Sequence, residues 1–292
     1  MKDNTNISVL HIDLDKKDFA KKSYPDLVKY VGGIGVSSKI ILDNFDLDPV
    51  TFAIGPLNGY FPFASKTSAA FVDGGKFYDT YVGGRLHSRL RFTGLDALSF
   101  EKASANPIIV SIVDNEVSFL PADTDITTLG VFGKRSVVSH EKDGLTTDQH
   151  FVFGERNLSD MLLAKNVKGF VVSGTQSYKV DRTDKYSKQY EEILSKTSEM
   201  LVETGDFPSC SHCPMGCSKA RVGESDGNFL VHCLVSCIYS EKIFGDLGVV
   251  FASLSSIGYD YRHEDLEALP SLVAENIKKI YEKISHSKLE RK

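Results

Sequence analysis

Apolar and polar positions change their period along this chain. In Ile7-Ser-Val-Leu-His-Ile-Asp-Leu-Asp they alternate, and a period of two predicts a half-buried strand. Asp26-Leu-Val-Lys-Tyr-Val begins a helical pattern, which Gly32-Gly33-Ile34-Gly35 interrupts before Ser37-Ser-Lys-Ile-Ile-Leu-Asp resumes it. Glycine inside a helix costs about 1 kcal/mol relative to alanine, so the cluster predicts a turn feeding a new helix. Close backbone packing is the favoured reason for it, with presentation of N–H groups to a phosphate as the alternative.

From residue 51 to about 175 the runs are short. Thr51-Phe-Ala-Ile-Gly, Ser68-Ala-Ala-Phe-Val, Arg89-Leu-Arg-Phe, Ile108-Ile-Val-Ser-Ile-Val, Val117-Ser-Phe-Leu and Gly169-Phe-Val-Val-Ser-Gly are apolar or alternating and bounded by Gly, Pro, Asn or Asp. Each predicts a strand, and Asp114-Asn115 predicts a hairpin turn. Near residue 180 the period lengthens. Between Asp184 and Glu203, Tyr186, Tyr190, Ile193, Leu194, Met200 and Leu201 fall at helical spacing, which predicts an amphipathic surface helix capped by Thr183 or Asp184. Asn228 to Phe244 reads as a buried helix, another follows Gly248, and a last one starts at Pro270, a residue suited to a first helical turn. The polar tail from Ser287 to Lys292 is expected to fray. The fold class is therefore α+β: a β-rich part over residues 1–176, followed by a shortened helical part over residues 177–292.

Composition narrows the functions. With 41% hydrophobic and 25% charged residues in 292, the chain is an ordinary globular protein. Its formal charge of −5, without a dense Lys/Arg stripe, argues against nucleic acid as a partner. No apolar run has the length of a membrane span, and the start of the chain lacks the pattern of a signal peptide, so a cytoplasmic location is expected. There, thiols stay reduced and free to bind metal.

That matters because of where the thiols are. All five cysteines lie between Cys210 and Cys237, and three of them form Cys210-Ser-His-Cys213-Pro-Met-Gly-Cys217. Thiolates spaced C-x2-C-x3-C converge on one point, which suits zinc or an iron–sulfur cluster. Buried free cysteine is the bland alternative, weakened by Pro214 and Gly216, which make the segment a tight loop. Cys233 and Cys237, four apart in an apolar run, are as well explained by core packing as by ligation.

Four segments in order carry a family resemblance: Gly55-Pro-Leu-Asn-Gly59; Gly83-Gly84-Arg-Leu-His-Ser-Arg-Leu-Arg-Phe-Thr-Gly94-Leu-Asp; Ala164-Lys-Asn-Val-Lys-Gly-Phe-Val-Val-Ser-Gly174; and the cysteine loop. The succession resembles the tungsten-containing aldehyde ferredoxin oxidoreductases, which show G-P-L-T-G, G-G-x-x-G-x-x-L-K-x-A-G-Y-D, M-G-S-K-x-L-K-A-I-V-V-x-G and C-x2-C-x3-C in the same order. Gly32-Gly33-Ile34-Gly35 similarly resembles the family's G-G-x-G, and the likeness runs from about residue 7 to about residue 260.

The resemblance implies a β-rich N-terminal domain serving as the base under a cofactor, with a helical part above it. It implies a [4Fe–4S] cluster beside a tungsten- or molybdenum-pterin, aldehyde oxidation, and ferredoxin as electron acceptor. Cys210, Cys213 and Cys217 would be the first three cluster ligands, with Cys233 or Cys237 as the fourth. Lys66 falls where the family has an Arg between cluster and pterin, Gly83 and Gly84 where backbone approaches the pterin phosphates, and Asp246 and Gly248 on the first pterin motif.

Departures limit what carries over. Gly245 and Val250 replace the leading and closing acids of that motif, Tyr81 stands in place of Asn, and Lys66 lacks the planar fork of Arg. The second pterin motif, with the cysteine that completes the family's cluster, has no counterpart in these 292 residues. The chain alone is thus not expected to enclose a pterin or to be active in isolation, and no catalytic residue is assigned.

Three readings follow. One is an iron–sulfur redox protein or subunit, with a partner, ferredoxin or a pterin-enzyme subunit, or an oligomer completing any pterin site. Another is a non-catalytic accessory protein for a molybdenum or tungsten pterin enzyme. The third is a zinc-stabilised domain using His212, His232 or a later cysteine. His87 reads as an exposed loop histidine without a role, and the Asp73/Asp79 pair shows no spacing suited to acid–base work.

Overall fold

A computed structural model describes residues 4–178, 180–225 and 228–290. The chain opens with β1 (Ile7–Asp13) and β2 (Asp18–Tyr24), then α1 (Gly33–Asp43), β3 (Val50–Ala53), β4 (Thr67–Asp73), β5 (Lys76–Val82), α2 (Leu86–Phe92) and β6 (Ala97–Glu101). These six strands form one sheet in the order β2-β1-β6-β3-β4-β5. Only the β1/β6 pair in it is parallel.

A second sheet follows from β7 (Ile108–Val113), β8 (Glu116–Pro121), β9 (Arg135–Glu141), β10 (Gly144–Thr147) and β11 (Phe151–Val152), then α3 (Asn157–Ala164) and β12 (Val167–Ser173). Its order is β11-β10-β9-β12-β7-β8, with β12 parallel to β7. Asp114, at φ +54°, and Asn115 make the expected two-residue turn between β7 and β8. The sheets meet through aromatic rings: Phe170 of β12 lies 5.0 Å from Phe52 of β3 and 5.1 Å from Phe100 of β6, centroid to centroid.

The rest is helical: α4 (Thr183–Ser195), α5 (Phe229–Leu234), α6 (Glu241–Phe244), α7 (Leu247–Ser256), α8 (His263–Glu267) and α9 (Leu269–Glu290). No helix among the described residues is long and apolar enough to cross a membrane. One apolar cluster runs from Leu10 through Phe170 to Ile284, so sheets and helices share a core.

The glycine cluster does what close packing requires. Gly33, at φ +48°, has no room for a side chain, because a Cβ there would stand 2.1 Å from the His232 carbonyl oxygen of α5. Gly32 and Gly35 are likewise pressed on Cys233. Helix α1 thereby seats α5 against the first sheet, and Asn276 of α9 donates to Ser38 Oγ at 3.2 Å on the same helix.

Several expectations are corrected. Strand β1 is buried from Ile7 through Ile12, not on one face only, because it is an inner strand packed on both sides. Arg89-Leu-Arg-Phe is the second half of α2, where Leu86 and Leu90 bury one helical stripe. Helix α4 is preceded by Arg182 and has no side-chain cap, so neither Thr183 nor Asp184 plays that part. Asn228 to Phe244 is two short helices, not one. The tail is helical as far as Glu290, and 291 and 292 lie outside the described residues.

Candidate metal centre

The cysteine loop is shaped by its own backbone and by the turn beneath it. Cys213 N–H bonds to the Cys210 carbonyl at 3.1 Å, and Gly205 and Phe207 donate to Met215 and Gly216 at 3.0 Å each. Gly216 takes φ +54°, and a Cβ there would lie 2.3 Å from the Gly205 oxygen, so the return of the loop requires glycine. Below it, Ser211 N–H bonds to the Gly84 carbonyl, and a Cβ on Gly83 would stand 2.5 Å from Cys210 Sγ. The Gly83–Gly84 turn is therefore a close backbone floor under the first cysteine, itself covered by Phe151 and Thr147.

A second arm brings Cys237. Helix α5 ends after Leu234 because Val235 adopts the left-handed conformation, φ 52° and ψ 40°, rare for a β-branched residue. The Val235 carbonyl then accepts from Lys66 N–H at 3.3 Å and from Asn58 Nδ2 at 3.2 Å. Asn58 also donates to the carbonyls of Ala64 and Lys66 and accepts from Gly55 N–H, while Arg91 Nη2 donates to the Gly55 carbonyl at 2.6 Å. The turn after β3 is thus tied to the kink, and Cys237 N–H bonds to the Phe63 carbonyl at 2.9 Å.

The kink separates the two later cysteines. Cys210, Cys213, Cys217 and Cys237 line one small cavity with Ser65, Lys66 and Tyr239. Cys233 stands elsewhere, fully buried against Gly35 of α1. An unbroken helix would have put both thiols on one stripe; the left-handed residue sends them to different places. Among the described residues no group of three or more His, Cys, Asp or Glu side chains is set to hold a metal ion.

Electrostatics single out one more residue. Lys66 is 2% exposed and its Nζ lies 2.7 Å from Glu224 Oε1. Burial alone would lower its pKa, but Glu224, with Cys237 and Cys210 behind it, holds the ammonium above its ordinary range. Burial pushes the Cys213 thiol up to about 12, reinforced by Cys210 and Cys217 and opposed by Lys66. The Cys237 thiol is likewise held well above its ordinary range, again mainly by burial, and donates to Glu224 Oε1 at 3.8 Å. Protonated thiols here are held back by desolvation, and a bound cation would reverse that by replacing their protons.

Glu224 carries no signal in the sequence. It is placed by a bridge in which Tyr81 N–H bonds to its carbonyl at 2.7 Å and its own N–H to the Tyr81 carbonyl at 3.2 Å. Asn58 was visible, inside the Gly55-Pro-Leu-Asn-Gly59 turn, but its task of joining that turn to residue 235 was not.

The remaining expected positions lie as follows. Asp246 is the exposed N-cap of α7, accepting from Gly248 N–H at 2.8 Å and Val249 N–H at 3.4 Å. His87 is not on an exposed loop: it is fully buried in α2, its ring 5.9 Å from His212, and neither of its nitrogens has a partner among the described residues. His232 packs its ring 4.1 Å from that of Tyr81, with Nδ1 3.9 Å from Asp79 Oδ2. Tyr81 O–H donates to the same carboxylate at 2.5 Å, and burial holds Asp79 well above the usual carboxylate range.

Residues 9–142 match the family model of the aldehyde ferredoxin oxidoreductase N-terminal domain. That part of the chain is thus similar to the aldehyde ferredoxin oxidoreductase N-terminal domain. Among solved structures it is similar to the active site complex BamBC of benzoyl coenzyme A reductase, in complex with 1,5-dienoyl-CoA. The likeness has a TM-score of 0.62 at 14% identity and covers 98% of this chain and 65% of that one. At such identity it speaks for the fold. The chain thus spans 65% of the length of the structure it matches, and no curated protein matches it.

In family terms, the first sheet carries three of the resemblance segments' key contacts: the 55–59 turn, Lys66 and the Gly83–Gly84 floor all meet the cysteine arms. The positions assigned to a pterin fit that group poorly. Lys66 is engaged by Glu224, Gly83 and Gly84 are already covered by protein, and the Asp246 carboxylate caps a helix. Where the family motif has its third glycine stands His87, fully buried.

Proposed function

We propose that this chain is an aldehyde ferredoxin oxidoreductase-like iron–sulfur redox protein whose [4Fe–4S] cluster is held by Cys210, Cys213, Cys217 and Cys237. The observation that supports it best is the convergence of four thiols, from two separate arms, on one cavity that excludes Cys233. The donor set suits a cubane, which takes one thiolate at each iron. His212 and His232, the imidazoles a zinc site would use, are engaged with His87 and with Tyr81 rather than with the loop thiols. When bound, a cluster supplies one-electron transfer. The protein's part is to exclude water, to hold the sulfurs through the Gly83 floor and the Val235 kink, and to set the charge around them.

In this reading residues 1–176 form the base and residues 177–292 the part that carries the loop. A tungsten- or molybdenum-pterin is not enclosed by this chain, and a pterin-enzyme subunit would have to bring it. Electron exchange would be with a small iron–sulfur carrier such as ferredoxin. The accessory reading, in which the chain supports a pterin enzyme without redox chemistry of its own, draws on the same poor fit of the pterin positions.

Anaerobic purification with iron, sulfide and zinc analysis tests the proposal. The expected result is a brown protein with about four irons per chain, retained in Cys233→Ala and lost in Cys237→Ala. Zinc in place of iron, or iron lost with Cys233 and kept without Cys237, would overturn it. A protein holding neither metal would favour the accessory reading.

A further inference from the structure

Glu224, the partner of Lys66, stands in no motif of the sequence, yet the pair is buried on both sides, with side-chain exposures of 2% and 5%. A buried ion pair is expensive to desolvate and is weak evidence of a purely stabilising role. Its placement is specific. Glu224 Oε1 lies 3.8 Å from Cys237 Sγ and 2.7 Å from Lys66 Nζ, and Ile238 N–H donates to the other carboxylate oxygen at 3.3 Å. Lys66 itself lines the cavity. The pair therefore places one positive and one negative charge against the sulfur lining, inside a poorly screened interior.

The segment that carries the carboxylate is held by its backbone against Tyr81 of β5. A Cβ on Gly223 would stand 2.1 Å from Gly154 N and 2.5 Å from the Tyr81 oxygen, and Thr80 Oγ1 also donates to the Glu224 carbonyl at 3.2 Å. The carboxylate itself is held by Lys66 Nζ and by Ile238 N–H. Charge near a cluster is one of the protein's means of setting its potential.

We propose that Glu224 is a potential-determining residue, acting by neutralising Lys66 beside the four-cysteine site. This rests on the cluster reading above and goes beyond it. A lone buried ammonium against the sulfurs would favour the reduced, more negative state. The carboxylate cancels that preference and keeps the potential low. Lys66 in turn shields the sulfurs from the carboxylate, so removing each partner should move the potential in opposite directions.

The experiment is a dye-mediated redox titration of the anaerobic protein, with dithionite as reductant and the cluster signal as readout. Glu224→Gln is expected to shift the midpoint to more positive values and Lys66→Met to more negative ones. Glu224→Asp, which preserves charge, should stay near the parent. Should one single variant fail to fold or to bind iron, the sign of the other, set against Glu224→Asp, still decides. Midpoints that stay put, or that move in the same direction in both single variants, would overturn the inference alone. An iron-free parent protein would overturn it together with the cluster reading.

Discussion

His87 shows how much a single side chain decides here. A fully buried imidazole with no partner for either nitrogen among the described residues resists protonation, and burial, with His212, Arg91, Arg89 and Lys66 nearby, holds its pKa well below the ordinary 6.5. The unfolded chain takes up that proton first as pH falls, so the folded state is fully favoured above about pH 6.5 and loses ground below it. His87→Leu should therefore flatten the acid side of the stability profile. Urea midpoints at about pH 5.5 and 8 check this: the wild type should lose more between them than the variant.

At the scale of elements, two short helices carry the argument. The N-cap of α7 uses Asp246 for two backbone N–H groups, and loss of such a cap costs about 1 kcal/mol. Asp246→Ala should lower stability by about that amount and leave iron content unchanged, as denaturant titration and metal analysis would show; iron lost in step would place the carboxylate at the metal site instead. Helix α5 marks the limit of what periodicity can tell. The apolar run from Asn228 to Phe244 has helical spacing throughout, and nothing in it announces that Val235 turns left-handed. That turn is held from outside, by Asn58 and Lys66, the first 177 positions away in chain order but adjacent in space. Strand β1 was misjudged for the same reason: its alternation is real, yet both faces are covered by elements that local sequence does not foretell. What was legible was local, such as the two-residue turn at Asp114, the packing role of Gly32 to Gly35, and the tight bend of the cysteine loop. What was hidden, above all Glu224, depends on contacts between distant segments.

Over the whole molecule, the apolar cluster from Leu10 to Ile284 makes sheets and helices one cooperative body around the thiols. A ligand that binds only the folded state raises the melting temperature. Removing iron with a chelator under reducing, anaerobic conditions is expected to lower the melting temperature of the whole chain in a single transition, followed by circular dichroism and by differential scanning fluorimetry. A separate early transition for the helical part, with the sheets unmoved, would show that the two halves respond independently. The likeness to the family's N-terminal domain was legible at this scale because two of its segments, the 55–59 and 83–96 stretches, are backbone signatures, a turn and a floor, within the matched residues 9–142.

The left-handed Val235 has one more implication. A valine in that conformation sits uphill by roughly 1–3 kcal/mol, a tension balanced only while the amide of Asn58 and the backbone of Lys66 grip its carbonyl. The choice between two neighbouring sulfurs, one handed to the cavity and one shut in the interior, is therefore made by the chirality of a single backbone unit. Were that grip to slacken, the chain would relax toward a continuous coil of helix, Cys237 would rotate onto the same side as Cys233, and the cluster proposed above would lose its fourth thiol without any cysteine having been changed.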